Sequence, residues 1–294
     1  MEMDVADLLG KEFGFEQVSL LDEPKTVLTN VGKKKLTYWR ERDLLEYHLN
    51  FRDRFFSQYG ILCNRMIRTL DGDGYVQYGD FYITVHDLVE ECYAEDLYPE
   101  MKGYLLAALV GTAKETPCSP QYAYSSTFPY RETLTALASI KLLYPKSYTL
   151  LVNLIPEVKK RLLVDQPNIL PPAPYGGYRL KRVMGQIFFE ASDAVPLPAY
   201  KWIVNEIQFW FKTMETESFV KSFSALINGV DDEMQAYIIQ SVIEPWEWRS
   251  CILALQQGSH SDQKIKQFQE EWEATRNIID TLQLSISDRR VSYE

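Results

Sequence analysis

The chain has no cysteines paired at metal-ligand spacing, no apolar run long enough to cross a bilayer, no glycine-rich phosphate loop and no surplus of basic charge. Each absence removes a class of function. Cys63, Cys92, Cys118 and Cys251 are scattered, and only His48, His86 and His260 add imidazoles. Zinc needs ligands clustered at short spacings, so no metal site is expected and the thiols read as small core residues. The longest apolar stretches, Tyr104 to Val110 and Thr149 to Pro156, fall far short of the roughly 20 residues of a spanning helix. Lys and Arg number 31 against 41 Asp and Glu, a formal charge of -10, which opposes docking on phosphate backbones or anionic lipid. Neither a nucleic-acid partner nor a membrane span is expected. Met1 to Gly10 carries acids where a secretory signal would place a basic region before an apolar one, which predicts a cytoplasmic protein.

What is present is a core. With 294 residues and 46% hydrophobic content, the chain can form one large or two modest domains. Val5, Leu8, Leu9 and Phe13 mark a short helix within Met3 to Phe15, stopped at Gly14. Thr26 to Trp39 holds two β-rich runs around a turn containing Asn30 and Gly32, a hairpin signal. Glu41 to Phe56 switches to helical spacing with Leu45, Leu49 and Phe56 on one stripe. Strand character resumes over Ile61 to Thr69, and two short strands follow at Tyr75 to Tyr78 and Phe81 to Val85. This predicts an antiparallel sheet of about five strands with one helix packed on it.

Asp71-Gly-Asp-Gly74 between these strands is a turn. As a calcium loop it would need an oxygen ligand at its fifth position and a glutamate at its twelfth, and those are Tyr75 and Tyr82. From Met101 the pattern is mainly helical: Met101 to Lys114, Tyr130 to Leu143, Ser147 to Leu163, Ala199 to Met214, Ser218 to Leu226, Asp232 to Glu244, Trp246 to Gln256 and Asp262 to Leu284. The last of these either closes the fold or protrudes toward a partner. Pro167 to Gly177 is a proline-rich loop, and Tyr178 to Phe189 reads as a strand.

A mixed small lobe followed by a helical lobe with one loop-and-strand insert resembles the aminoglycoside-phosphotransferase branch of kinase-like proteins. Leu44-Leu-Glu-Tyr-His-Leu-Asn-Phe-Arg-Asp-Arg54, Arg65-Met-Ile-Arg-Thr-Leu-Asp-Gly72, Tyr82-Ile-Thr-Val-His-Asp-Leu-Val-Glu90 and Glu244-Pro-Trp-Glu-Trp-Arg249 are similar to the CotS/YutH group of bacterial endospore coat-associated proteins. The resemblance implies an α+β, two-lobed kinase-like fold. Its small antiparallel-sheet lobe would occupy residues 1–91, and a larger mainly helical lobe residues 92–294, with its proline-rich loop at 165–177. It also implies protein partners in coat assembly, in the mother-cell cytoplasm and the spore coat.

Phosphoryl transfer requires a lysine on the phosphates, a carboxylate that positions the acceptor, and magnesium ligands. Lys35 is the candidate for the first but lies with Lys33 and Lys34 at or near the hairpin turn, where a solvated cluster is the ordinary reading. Its helical partner would be Glu46, which equally suits solvent. Asp165 and Asn168 echo a catalytic loop, and Asp193 a metal strand. Asp165 sits only three residues before Asn168, without the histidine that precedes it in active relatives. Lys11-Glu-Phe-Gly-Phe15 has one glycine and cannot form a phosphate cradle. No cofactor is therefore expected, with ATP and magnesium belonging only to the alternative of a diverged but active phosphotransferase. His86 suits a hydrogen-bonded structural role, and no Gly-x-Ser-x-Gly elbow positions a serine. Tyr122, Tyr124, Phe128, Tyr175 and Tyr178 lie in irregular polar or proline-rich sequence, where exposed rings often mark protein contacts.

Overall fold

The computed structural model describes residues 4–21, 25–90, 98–119, 128–162, 170–175, 179–183, 186–259 and 261–291. Two compact units emerge from its contacts: Met1–Leu97, Ala108–Ala123 and Pro171–Leu197 form one, and Tyr98–Ala107, Tyr124–Leu170 and Pro198–Glu294 the other. The sequence reading cuts the chain once, after residue 91, whereas the first unit takes in two later segments.

The first unit begins with α1 (Val5–Phe13), closed by Gly14 at φ 70°. Strands β1 (Ser19–Leu20), β2 (Thr26–Thr29), β3 (Gly32–Trp39), β5 (Val76–Tyr78) and β6 (Phe81–Asp87) form an antiparallel sheet in the order β1-β2-β3-β6-β5. Five strands are found, as the sequence predicts, but with different members. β1 joins the sheet, while the stretch from Ile61 to Thr69 keeps only β4 (Leu62–Cys63), which belongs elsewhere. Beyond Cys63 the backbone is diverted: Ile67 N–H donates to Val85 O at 2.8 Å, and Thr69 N–H to Asp73 O at 2.8 Å. That second bond helps close the Asp71-Gly-Asp-Gly74 turn, where Gly72 has φ 91°.

Period-two alternation gives this sheet two unlike faces. Leu36, Ile83 and Val85 pack with Leu8, Leu9 and Phe13 of α1. The opposite face carries Lys35, Thr37 and Trp39 of β3 with Thr84 and His86 of β6. Trp39 packs there with Leu45, on α2 (Arg42–Tyr59). A second sheet holds β4, β7 (Arg179–Val183) and β8 (Gln186–Glu190) in the order β4-β8-β7. The single strand expected over Tyr178 to Phe189 is thus an antiparallel hairpin, paired from Arg179↔Glu190 to Val183↔Gln186.

Helix α3 (Pro99–Glu115) contributes residues to both units. In the second unit, Gly103 permits a close approach to α8 (Thr216–Asn228): a Cβ there would stand 2.0 Å from Ser222 O. This unit also holds α4 (Tyr130–Ser139), α7 (Ala199–Thr213), α9 (Asp232–Ile243), α10 (Trp246–Gln256) and α11 (Ser261–Val291). The helix expected over Ser147 to Leu163 is two, α5 (Pro145–Asn153) and α6 (Ile155–Arg161). Pro156 cannot donate to the carbonyl four residues earlier, and its ring would clash there, so the break falls beside it. Phe268, Trp272, Ile278 and Leu282 of α11 are buried, so this part of the last helix closes the fold.

Candidate functional site

The polar face of the first sheet, the inner face of α2 and the residues following β8 meet in one cluster, all within the first unit. The parallel register Leu62↔Phe188 and Cys63↔Phe189 sets it up, because it brings Asn64, next after β4, beside Ala191, just beyond β8. Asn64 Oδ1 accepts from Ala191 N–H at 2.8 Å, and its Nδ2 donates to Ala191 O at 3.1 Å. Small side chains at Ala191 and Ser192 let this backbone run close to α2.

Helix α2 grips the next three residues. Arg52 Nη2 donates to Ser192 O at 3.2 Å and to Asp193 Oδ1 at 2.6 Å, while its Nε donates to Asn64 Oδ1 at 3.3 Å. One turn earlier, His48 Nε2–H donates to Ala194 O at 2.9 Å. Arg52 and His48 are both essentially fully buried. The sequence pattern places Leu45, Leu49 and Phe56 on the core stripe; the buried residues are instead Leu45, Tyr47, His48, Phe51, Arg52 and Phe55. Arg52 and His48 are the site residues the sequence reading misses. The available signal was a histidine and an arginine occupying positions of an otherwise apolar stripe at spacings of three and four.

From the sheet side, Lys35 Nζ lies 3.4 Å from Asp193 Oδ2 and 3.7 Å from Glu190 Oε1, and Thr37 Oγ1 donates to Asp193 Oδ2 at 3.3 Å. The placement of Lys33, Lys34 and Lys35 at the turn is therefore corrected. Only Asn30 and Val31 lie between Thr29 and Gly32 in the hairpin, so all three lysines are paired in the ladder. Alternation puts Lys34 on one face, buried beside Asp87 at 2.6 Å, and Lys33 and Lys35 on the other, where Lys33 meets Glu90 at 2.8 Å and Lys35 faces the cluster. Glu190 also meets Lys181 at 2.7 Å.

The sequence candidates do not all converge here. Glu46 is not the partner of Lys35; its carboxylate takes Arg42 Nε at 2.7 Å, one turn away on the outer side of α2. Asp165, Asn168, Tyr122, Tyr124 and Tyr178 lie outside the described residues. Phe128 and Tyr175 are 6% and 8% exposed, so neither ring is free at the surface. Phe128 packs against Trp246 with ring centres 5.0 Å apart, since aromatic burial outweighs the polar sequence around it.

The electrostatics of the cluster follow from burial. Burial alone would push the Asp193 carboxyl up, but Arg52 first and Lys35 second outweigh it and hold it at about 2. Burial, reinforced by the Arg52 charge, drives His48 down to about 3 and His86 down to about 4. His86 has its neutral form fixed by geometry. Its Nδ1–H donates to the carbonyls of Asn64 and Arg65 at 3.0 and 3.1 Å. Its Nε2 accepts from Thr84 Oγ1 at 2.9 Å, and that oxygen accepts from Trp39 Nε1 at 2.9 Å. A proton on Nε2 would turn it into a donor and reverse the bond to Thr84, so this arrangement is that of a neutral ring serving as a structural link.

No family model and no curated protein matches the chain. Solved structures do. An aminoglycoside phosphotransferase from Alicyclobacillus acidocaldarius aligns over 98% of this chain and 95% of its own, at 12% identity and a TM-score of 0.60. The chain has the fold of an aminoglycoside phosphotransferase. A spectinomycin phosphotransferase, solved with AMP and with ADP and spectinomycin, aligns over 92% and 95% of this chain at 13% and 15% identity, each at a TM-score of 0.50.

Proposed function

We propose that the chain is a kinase-like protein whose phosphoryl-transfer site no longer operates and that it acts by binding other proteins. The observation that carries this reading is the 2.6 Å pair between Arg52 and Asp193. Magnesium would need Asp193 as an open anionic ligand, yet a buried guanidinium already occupies one of its oxygens and Lys35 flanks the other. A dication about 5 Å from that guanidinium would meet roughly 6–7 kcal/mol of repulsion at an effective dielectric of about 20. The residues present therefore do not fit magnesium. The link from β1 to β2, where a kinase keeps its glycine-rich cover, reads Leu21-Asp-Glu-Pro-Lys25, with two acids and no glycine. The similarity of four sequence phrases to endospore coat-associated proteins supports the finer assignment, in which the partners are coat proteins or their precursors.

Thermal unfolding with and without magnesium-ATP tests the silent site. No change in Tm is expected, and a rise of several degrees with a micromolar Kd would overturn the reading. A pull-down from sporulating cells tests the partner, and recovery of no coat protein counts against that assignment. One observation favours the second reading, an active phosphotransferase with diverged motifs: Lys35 lies inside its strand and within 3.4 Å of Asp193. The same titration decides between them.

A further inference from the structure

The α4–α5 connection in the second unit carries the most exposed large apolar residue among the described residues, Leu142 at 92%, and its chain neighbour Leu143 is 72% exposed. The tip is held firmly. Ile140 behind it is 1% exposed, and Tyr144 N–H donates to Ile140 O at 2.9 Å. Lys141 and Lys146 flank the leucines, and from Thr133 to Pro156 there is no acid. In a chain of formal charge -10, this is a locally basic apolar knob.

The same unit carries a feature of opposite character. Phe211 of α7 and Ala274 of α11 line a shallow groove of about 530 Å³, bordered by Glu270, Glu273 and Lys212. Glu270 and Glu273 are largely exposed, with weak partners in Lys266 at 4.0 Å and Arg276 at 3.4 Å.

We propose that the Leu142-Leu143 knob of one copy docks into the Phe211–Ala274 groove of a second copy, with Lys141 and Lys146 facing Glu270 and Glu273. Knob and groove are different surfaces, and the proposed contact is heterologous: in a pair, one copy keeps its groove unused and the other its knob, so association continues beyond a dimer. The knob's fixed backbone reduces the ordering cost of docking. Two leucine anchors bury far less than the roughly 800 Å² per partner of a stable complex, which makes each contact weak and salt-sensitive. This inference stands independently of the phosphoryl-transfer site.

Sedimentation velocity of the full chain over a concentration series tests it. The weight-average mass should rise with concentration without a plateau at two chains, and high salt should reduce it. Leu142→Asp with Leu143→Asp should give a monomer, as should Glu270→Lys with Glu273→Lys, both with unchanged circular dichroism and Tm. A mixture of these two variants retains one intact knob and one intact groove, and should form a one-to-one dimer that does not grow. A wild-type monomer at every concentration overturns the proposal. So does a plateau at a dimer, or a mixture that stays monomeric. Should the leucine variant lose its fold, Lys141→Glu with Lys146→Glu replaces it: this variant and the Glu270→Lys with Glu273→Lys variant should each be monomeric alone, whereas their mixture restores opposite charges at both contacts and should grow beyond a dimer, and a mixture that stays monomeric overturns the proposal.

Discussion

Two guanidinium–carboxylate pairs, one in each unit, have nearly the same length and opposite surroundings. Arg52 meets Asp193 at 2.6 Å and Arg161 meets Glu247 at 2.7 Å. Arg161 and Glu247 side chains are only 6% and 4% exposed. Arg161 Nε also donates to Ile243 O at 2.6 Å, and its guanidinium lies 4.4 Å from the Trp272 ring centre. Around Arg52 the arginine is equally buried, but its acid is 24% exposed and a second cation, Lys35, is 31% exposed. A pair enclosed on every side only holds helices together. A pair whose acid reaches solvent keeps a charged group where a ligand would be met, so the same chemistry serves packing in one unit and, under the proposed function, marks a silent site in the other.

Breaking the enclosed pair should produce the largest effect. Arg161→Met leaves Glu247 buried without a counter-charge and is expected to cost about 3–5 kcal/mol, read from the urea midpoint. The double change Arg161→Met with Glu247→Leu should recover most of that loss, because the isolated charge is removed. Arg52→Met should cost less, about 1–3 kcal/mol, since Asp193 retains Lys35 and some water. It should also raise the Asp193 pKa from about 2, measurable by the carboxyl carbon shift. Equal losses for the two arginines would erase the distinction between the pairs.

The same contrast explains what could be read in the sequence. The hairpin at Asn30 and Gly32, the helix that follows it and the helical character after Met101 were legible because period and turn chemistry act locally. The α+β kinase-like class followed from their order. The Asp193 cluster was only half legible. Lys35 and Asp193 stood out as residue types, but their meeting depends on the parallel pairing of β4 with β8, across more than a hundred residues, and no local pattern encodes it. Arg52, three residues from Leu49 and four from Phe56, falls on the stripe the sequence shows, but no local pattern says that a charge there is buried with His48. Phe128 misled for the converse reason: irregular sequence around a ring does not determine whether tertiary packing covers it.

Acidity should separate the units further. Unfolded histidines take up protons below about 6.5, whereas His86 and His48 resist to about 4 and 3. Between those limits the unfolded chain binds more protons, so the histidines weaken the fold as pH falls. Glu244 in the second unit acts in the other direction. Burial raises its carboxyl to about 7, above an unfolded value of about 4.3, so the native state holds the extra proton and stability falls as pH rises through that window. The two opposing slopes should leave wild type with a shallow profile from about pH 4.5 to 6.5. Glu244→Gln should steepen acid destabilisation, and His86→Gln should flatten it, both read from urea midpoints against pH.

The smallest expected effect sharpens the comparison most finely. A kinase small lobe with a working site would pair Lys35 with a glutamate on α2, and Glu46 was the residue in position by sequence. Glu46 instead meets Arg42 on the outer side, with their side chains 45% and 60% exposed. Surface pairs of this kind contribute little, so Glu46→Gln should leave the urea midpoint unchanged. A double-mutant cycle removes the ambiguity of single changes. Lys35→Met combined with Glu46→Gln should give a coupling energy near zero, whereas Lys35→Met combined with Asp193→Asn should give about 0.5–1 kcal/mol, the range of a partly screened pair. A coupling to Glu46 as large as that to Asp193 would mean that α2 still presents its glutamate to the lysine, and the case for Arg52 having displaced the phosphate machinery would fail.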